Sequence, residues 1–570
     1  MRSRSLRHSI EILEPRLLLS ATPITFDPEG TLVKGAGTVN GVKFIQLKGG
    51  NPGGSINGIP TGGATAGGTA RVFATDLNGN QVIDADEITG IALSDNAKAT
   101  IFGSVNGDIV TNLRGGGDLS GEEKDGSELL THSVKSLVVK GSVMGNLLTG
   151  RGIGTLEIEG SINEVRVGSA ASGQPFRFHG PDGEVGAIVP VIMGTNINGG
   201  NILKVEIGTG LAGMYAGDGG PGGAGGFISG VKIVNDTDGL VIQAGNGGDR
   251  DDRSGGQGGY LSKIEVVSSS GVTVIAGNGG NSIKNNSRGG DGGGIDGARI
   301  SSLGPVTMTA GHGGDNTSTD SEGGIGGSIE KSAVNGSDCT YTAGHGGDGH
   351  KLGGEGGSIL GLKSNLAGEA NFFAGNGGDA ASEAGIGGSI SGLKLAAGTE
   401  DAFIRAIVAG DGGSAALSGD GGSVSKVQFD GDIGDFMSAY GVGGMGGLFA
   451  GLAGAGSLGV NGDVVSIQAD RVAAIVAGTQ MVPGLASNIK SINASEIGAN
   501  FDTDSDNDGI DEPAFDYFEL LPLEFLYDVG EQPIDGPVLG IKVTGLGSNP
   551  LFLYEGITGN QHGDMDPHGI

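Results

Sequence analysis

Two short segments place oxygen-bearing side chains at alternate positions, a spacing that lets one tight loop converge on a cation. In the first, Asp76, Asn78 and Asn80 stand at loop positions one, three and five, Asp84 at nine and Glu87 at twelve. The backbone carbonyl of Val82 supplies position seven, and Ile83 is the apolar residue at eight. Hard cations need six or more oxygens at about 2.5 Å, and alternate residues of a tight loop provide them. Gln81 departs from the pattern, which favours glycine for the sharp turn. In the second segment Asp502, Asp504, Asp506 and Asp508 alternate and Gly509 follows, with Asp511 and Glu512 close behind. Phe515 stands twelfth from Asp504, so Glu512 or Asp516 would have to close this site. Adjacent carboxylates repel one another, and a bound calcium ion compensates them. The plainer alternatives are an Asn-Gly turn between strands for the first segment and a solvated acidic linker for the second.

A third set of candidates recurs. The pentapeptide Ala-Gly-x-Gly-Gly begins at Ala216, Ala244, Ala276, Ala310, Ala343, Ala374 and Ala409, at intervals of 28, 32, 34, 33, 31 and 35 residues. Position x is Asp218, Asn246, Asn278, His312, His345, Asn376 and Asp411. Asn, Asp and His tolerate positive φ better than other non-glycine residues, so a recurrent turn would select this set. A stacked metal site built on His312 and His345 is the sharper alternative. Asp249, Asp315, Asp348 and Asp379 follow their glycine pairs and are expected to form a stripe, with Arg250 and Arg253 near only one of them. Nucleophile elbows, zinc-protease helices and phosphate-binding loops are missing from the sequence. The enzymatic alternative is a carbohydrate-active β-helix, a polysaccharide lyase or glycosidase working through clustered carboxylates. Regular recurrence speaks against it, because an active site should break a repeat.

The elements that must position these residues are strands. Each pentapeptide is followed by a Gly-Gly pair and an apolar pattern φ-x-x-φ-x-φ, as in Ile295/Ala298/Ile300, Ile329/Ser332/Val334 and Ile359/Leu362/Ser364. A short alternating run precedes each pentapeptide, such as Val272/Val274 or Val306/Met308. With glycine at 123 of 570 positions, long helices would be costly. A period of this length means that each unit buries its apolar face only against its neighbours. The fold expected is all-β, a β-solenoid (parallel β-helix) with glycine-rich loops, its apolar columns pointing inward. Ser136–Val143 and Thr155–Ile162 repeat the theme upstream, and Val465/Ile467, Ala474/Val476 and Ile489/Ile492 repeat it downstream. The expected organisation is a leader over 1–27, an N-terminal solenoid region with its calcium-type loop over 28–200, and glycine-rich repeats over 201–430. Further coils follow over 431–499, then an acidic loop and a C-terminal capping module over 500–570, where aromatic residues become frequent.

The net charge of −32 repels phosphate backbones, which argues against nucleic-acid partners, and attracts divalent cations. The same charge keeps an edge-exposing, glycine-rich chain soluble. Cys339, the single cysteine, rules out an intramolecular disulfide framework. No apolar run is long enough for a transmembrane helix.

Several resemblances bear on these residues. The first loop resembles the EF-hand loop, although its flanks, Val72-Phe73 and Ile88-Thr89-Gly90, read as strands. The second resembles the Asp-x-Asp-x-Asp-Gly loops of thrombospondin type 3 repeats. The calcium-binding nonapeptides of RTX proteins do not fit, since the nine-residue period is absent. The glycine runs look like those of mycobacterial PGRS proteins, which implies polyglycine-like extended arms packed beside the coil. Leu13-Glu14-Pro15-Arg16-Leu17-Leu18-Leu19-Ser20-Ala21 resembles the LEPR-xLL motif of large surface or exported proteins of planctomycete bacteria. It covers nine residues and implies export, not chemistry. Together these imply an extracellular or cell-surface, calcium-binding structural or adhesive protein. Its candidate partners are calcium ions, surface polysaccharide, other envelope proteins and further copies of itself.

Overall fold

The computed structural model describes residues 133–168 except 151, 198–235, 239–399, 402–433 and 447–472 except 457–458, together with short strands and single residues elsewhere. Among the described residues every regular element is a strand. The chain divides into two compact units, residues 1–218 with 227–240, and residues 219–226 with 241–570.

The first unit opens antiparallel. Val33–Val39, Val42–Leu47, Arg71–Ala74 and Ile88–Leu93 form a meander, which differs from the parallel coils expected over this stretch. Parallel pairing then takes over, from Ile88–Leu93 through Asp108–Thr111, Val143–Thr149 and Ser161–Val167 to Gly210–Tyr215. A second parallel series contains the partners Leu137↔Leu156, Leu156↔Val205 and Val205↔Val231. The strand, Gly-Ser turn and further strand expected from Ser136 and Thr155 are therefore present. Phe176–Gly180 and Gly183–Ile188 form an antiparallel hairpin.

In the second unit each repeat contributes to two parallel sheets, an arrangement consistent with a parallel β-helix. The first sheet carries the φ-x-x-φ-x-φ residues. Ile295, Ile329 and Ile359 are register partners of one another in turn and are 1%, 0% and 0% exposed. The second sheet carries the alternating runs, with Val272↔Val306, Val306↔Cys339 and Cys339↔Ala370 as partners. Stacking equivalent side chains gives isolated short strands the shared core they need. Where the apolar pattern lapses, the core compensates by size. Ser364 and Ser332 replace aliphatic residues in the first sheet, while Tyr341 and Phe372 occupy the second, fully buried and stacked at 4.8 Å. Val538–Leu539, Lys542–Val543 and Leu553–Tyr554 extend the same two sheets in parallel.

The two x positions inside φ-x-x-φ have a structural cause. The residue before the second apolar position is left-handed in repeat after repeat: Lys263 (φ 53), Gly297 (φ 68), Lys331 (φ 47), Gly361 (φ 66), Gly392 (φ 73), Lys426 (φ 54) and Ser466 (φ 61). This inserts one residue and returns the next side chain to the core, which a plain two-residue alternation cannot do. It also corrects the pairing of Val465 with Ile467 as inward residues. Because Ser466 is left-handed, Val464 and Ile467 are the buried pair and Val465 faces outward.

The glycine-rich stretches are not loose loops. In each repeat an outgoing arm (Ala276-Gly277-Asn278-Gly279-Gly280) and a returning arm (Gly289-Gly290-Asp291-Gly292-Gly293) pack beside the sheets and bond in a zigzag. Gly277 N donates to Gly259 O, Gly293 N to Gly277 O, Gly311 N to Gly293 O and Gly327 N to Gly311 O, at 2.9, 2.7, 2.8 and 2.7 Å. A parallel series runs through Gly280, Gly290, Gly314, Gly324 and Gly347. A Cβ on Gly311 would lie 1.8 Å from Gly277 O and 2.9 Å from Gly293 N. Close approach of backbones, not positive φ, therefore fixes glycine here. This is the arrangement of extended polyglycine arms that the PGRS resemblance implies.

Candidate functional site

The recurring polar columns form ladders along the second unit. Asn278 N donates to Asn246 Oδ1, His312 N to Asn278 Oδ1, His345 N to His312 Nδ1, Asn376 N to His345 Nδ1 and Asp411 N to Asn376 Oδ1, at 2.8, 2.8, 3.0, 2.8 and 2.9 Å. The column thus continues from repeat to repeat through side-chain acceptors. None of these residues has positive φ, which corrects the turn explanation for their recurrence. What Asn, Asp and His share is an acceptor at the δ1 position, two bonds beyond Cβ. That atom reaches the amide of the next repeat, an exposed donor that the strand ladders leave unmatched. This signal was available in the sequence.

His312 and His345 stack with their ring centroids 4.9 Å apart and their planes 4° from parallel. Accepting at Nδ1 places the proton on Nε2 of each neutral ring. Burial holds both below the ordinary imidazole value, and for His312 the neighbouring His345 adds to the effect. Below about pH 6.5 the unfolded chain binds protons that the folded ladder resists, so stability falls as pH drops. His312→Asn with His345→Asn keeps the acceptors and removes the titration. The melting temperature of this variant should change less between pH 7 and pH 5 than that of the parent chain, and parallel pH profiles would contradict the assignment.

The expected carboxylate stripe exists as a second ladder. Asn281 N donates to Asp249 Oδ1, Asp315 N to Asn281 Oδ1, Asp348 N to Asp315 Oδ1, Asp379 N to Asp348 Oδ1 and Ser414 N to Asp379 Oδ1, at 2.6, 2.8, 2.8, 2.9 and 2.7 Å. Partial burial, with Asp315 and Asp379 on either side, holds the Asp348 carboxyl above its ordinary value. Each of these carboxylates therefore spends one oxygen on the next repeat. Arg250 turns away from Asp249 to pair with Asp252, and its Nη1 donates to Pro221 O at 3.2 Å. A serine column does the same work: Ser358 N, Ser389 N and Ser423 N each donate to the preceding serine Oγ at 3.0 Å.

No family model, curated protein or solved structure matches this chain.

Of the expected calcium ligands, only Val82 falls in a described strand. Val82–Ile83 pairs antiparallel with Ile24–Thr25. Asp76, Asn78, Asn80, Asp84 and Glu87 lie outside the described residues, as do Asp502, Asp504, Asp506, Asp508, Asp511 and Glu512. Their donor set is all oxygen, which fits a hard cation. Among the described residues no group of three or more His, Cys, Asp or Glu side chains is placed to hold a metal ion. The acidic stripe and the histidine pair are thus ladders of the fold, and the candidate ion sites are the two segments that fall outside the described residues, Val82 excepted.

Proposed function

We propose that the chain is an exported, calcium-stabilised β-solenoid that acts as a structural or adhesive rod at the cell surface or in a matrix, closed by a capping module over 500–570. The observation that carries this reading is the unbroken recurrence of the ladders. From Asp249 through Asn281, Asp315 and Asp348 to Asp379 the side chains occupy one repeated position, and each accepts the next repeat's amide, where an active site would interrupt the series. The LEPR-xLL resemblance supports export, and the oxygen-rich spacing of the two segments supports calcium. Bound calcium would be held by Asp76, Asn78, Asn80, the Val82 carbonyl, Asp84 and Glu87 in one loop, and by the aspartates from Asp502 to Asp511 with Glu512 in the other. Attachment partners in this reading are surface polysaccharide, envelope proteins or further copies of the rod.

The test is incubation of the purified protein with neutral and uronic-acid polysaccharides, scored for new reducing or unsaturated ends. Binding without such products is expected. Turnover that disappears on Asp249→Asn would overturn the reading in favour of a lyase or glycosidase.

A further inference from the structure

The second unit holds a groove that the ladders do not explain. It has a volume of about 290 Å³ and lies where the first sheet turns toward the second, across the repeats that contain Gln428, Gln468 and Asn493. These three exposed amides are register partners in sequence, Gln428↔Gln468 and Gln468↔Asn493, so they recur at the strand spacing of about 4.8 Å. Asp430 and Asp470 flank them, also exposed. Phe429 and Leu395 form part of an apolar floor. The groove opens because side chains shrink at this corner. Leu366 gives way to Ala397 in the next repeat, and at Gly431 a Cβ would lie 2.7 Å from the Phe429 ring. Asp430 is held in place, since its Oδ1 accepts the Ala397 amide at 2.6 Å.

We infer that this groove binds a segment of a neutral polysaccharide along the repeat axis. The inference deepens the adhesive reading above and rests on it. Amides donate and accept while carboxylates only accept, so the lining complements hydroxyl groups, which do both. The residues that line the groove include two carboxylates and no cation, in a chain of net charge −32, which disfavours a polyanion between Gln428 and Asn493. The nearest cationic residues in register are Lys394 beside Gln428 and Lys542 beside Asn493, at the two ends of the amide column. A ladder of like amides at a fixed spacing suits a linear ligand whose hydroxyls recur along its length. The volume is at the small end of ligand sites, which span about 300–1,000 Å³, and so fits one or two sugar units of a longer chain.

Calorimetry of the full chain with neutral hexasaccharides (gluco-, manno- and galacto-) and with a uronic-acid hexasaccharide tests it. The parent protein should bind at least one neutral oligosaccharide, and Gln428→Ala with Gln468→Ala should weaken that binding tenfold or more. The melting temperature should be unchanged, because both side chains are exposed. Equal affinity in parent and variant would overturn the site. Binding of the uronic-acid oligosaccharide alone would overturn the ligand class and leave the adhesive reading standing. Failure to bind any of the neutral oligosaccharides would overturn the inference. Release of new reducing ends would overturn the adhesive reading itself.

Discussion

Gly311→Ala should destabilise the protein by about 4 kcal/mol, combining ~1–3 kcal/mol for overpacking with ~1–3 kcal/mol for a buried amide deprived of its acceptor. The added Cβ would meet Gly277 O at 1.8 Å and Gly293 N at 2.9 Å, both backbone atoms of the zigzag that cannot rotate away. The arms must separate locally, which breaks the Gly311 N to Gly293 O and Gly327 N to Gly311 O bonds. Gly297→Ala is the matched control. Its site is open, with nothing within 4 Å of the added atom, but its φ is +68, so it should cost only about 1–2 kcal/mol of left-handed strain. Denaturant midpoints of the two variants decide the matter. A cost for Gly311→Ala no larger than for Gly297→Ala would show that the arms do not pack as described.

Alkaline pH should cost about 2–3 kcal/mol through one buried thiol. Cys339 is 1% exposed, and burial pushes its thiol up to about 11 from 9.0. Below about pH 9 the thiol is neutral in both folded and unfolded chains, and stability is unaffected. Between 9 and 11 the unfolded chain releases the proton first, so stability falls by about 1.4 kcal/mol per pH unit and levels off above 11. The fully enclosed Tyr341 hydroxyl, raised by burial and by Cys339, acts in the same direction at higher pH. Cys339→Ala removes the first contribution. Its stability should decline less than that of the parent between pH 9 and pH 11, at the expense of a small cavity at neutral pH. Superimposable alkaline profiles would contradict the burial of the thiol.

Much of this was legible because repetition multiplies weak signals. One φ-x-x-φ-x-φ string is ambiguous, but seven with a common spacing place Ile295, Ile329 and Ile359 in one column, and they are buried register partners. The left-handed position was harder to see, since lysine at residues 263, 331 and 426 hides the glycine found at 297, 361 and 392. The role of Asn246, Asn278, His312 and His345 was misread because backbone preference and side-chain reach select overlapping residue types. Only the contact between repeats separates them. The groove at Gln428 and Gln468 was invisible, as it depends on the loss of bulk from Leu366 to Ala397, in the repeat just before the one that holds Gln428. The antiparallel start over 33–93 has no repeat period, and its one hairpin signal, Asn40-Gly41 between the runs that end at Val39 and begin at Val42, was overlooked.

The ladders join the repeats through hydrogen bonds between protein atoms, so the calcium proposed above is assigned to the segments around Asp76 and Asp504. An ion that binds the folded loops and not the unfolded chain adds about 2.7 kcal/mol at a hundredfold excess over Kd. The most direct measurement is calorimetric titration of the full chain with calcium, beside a variant carrying Asp504→Ala, Asp506→Ala, Asp76→Ala and Asp84→Ala. The account predicts saturable binding by the parent, a higher melting temperature with calcium than with chelator, and loss of both in the variant. Absence of heat in the parent, with coincident melts, would contradict it.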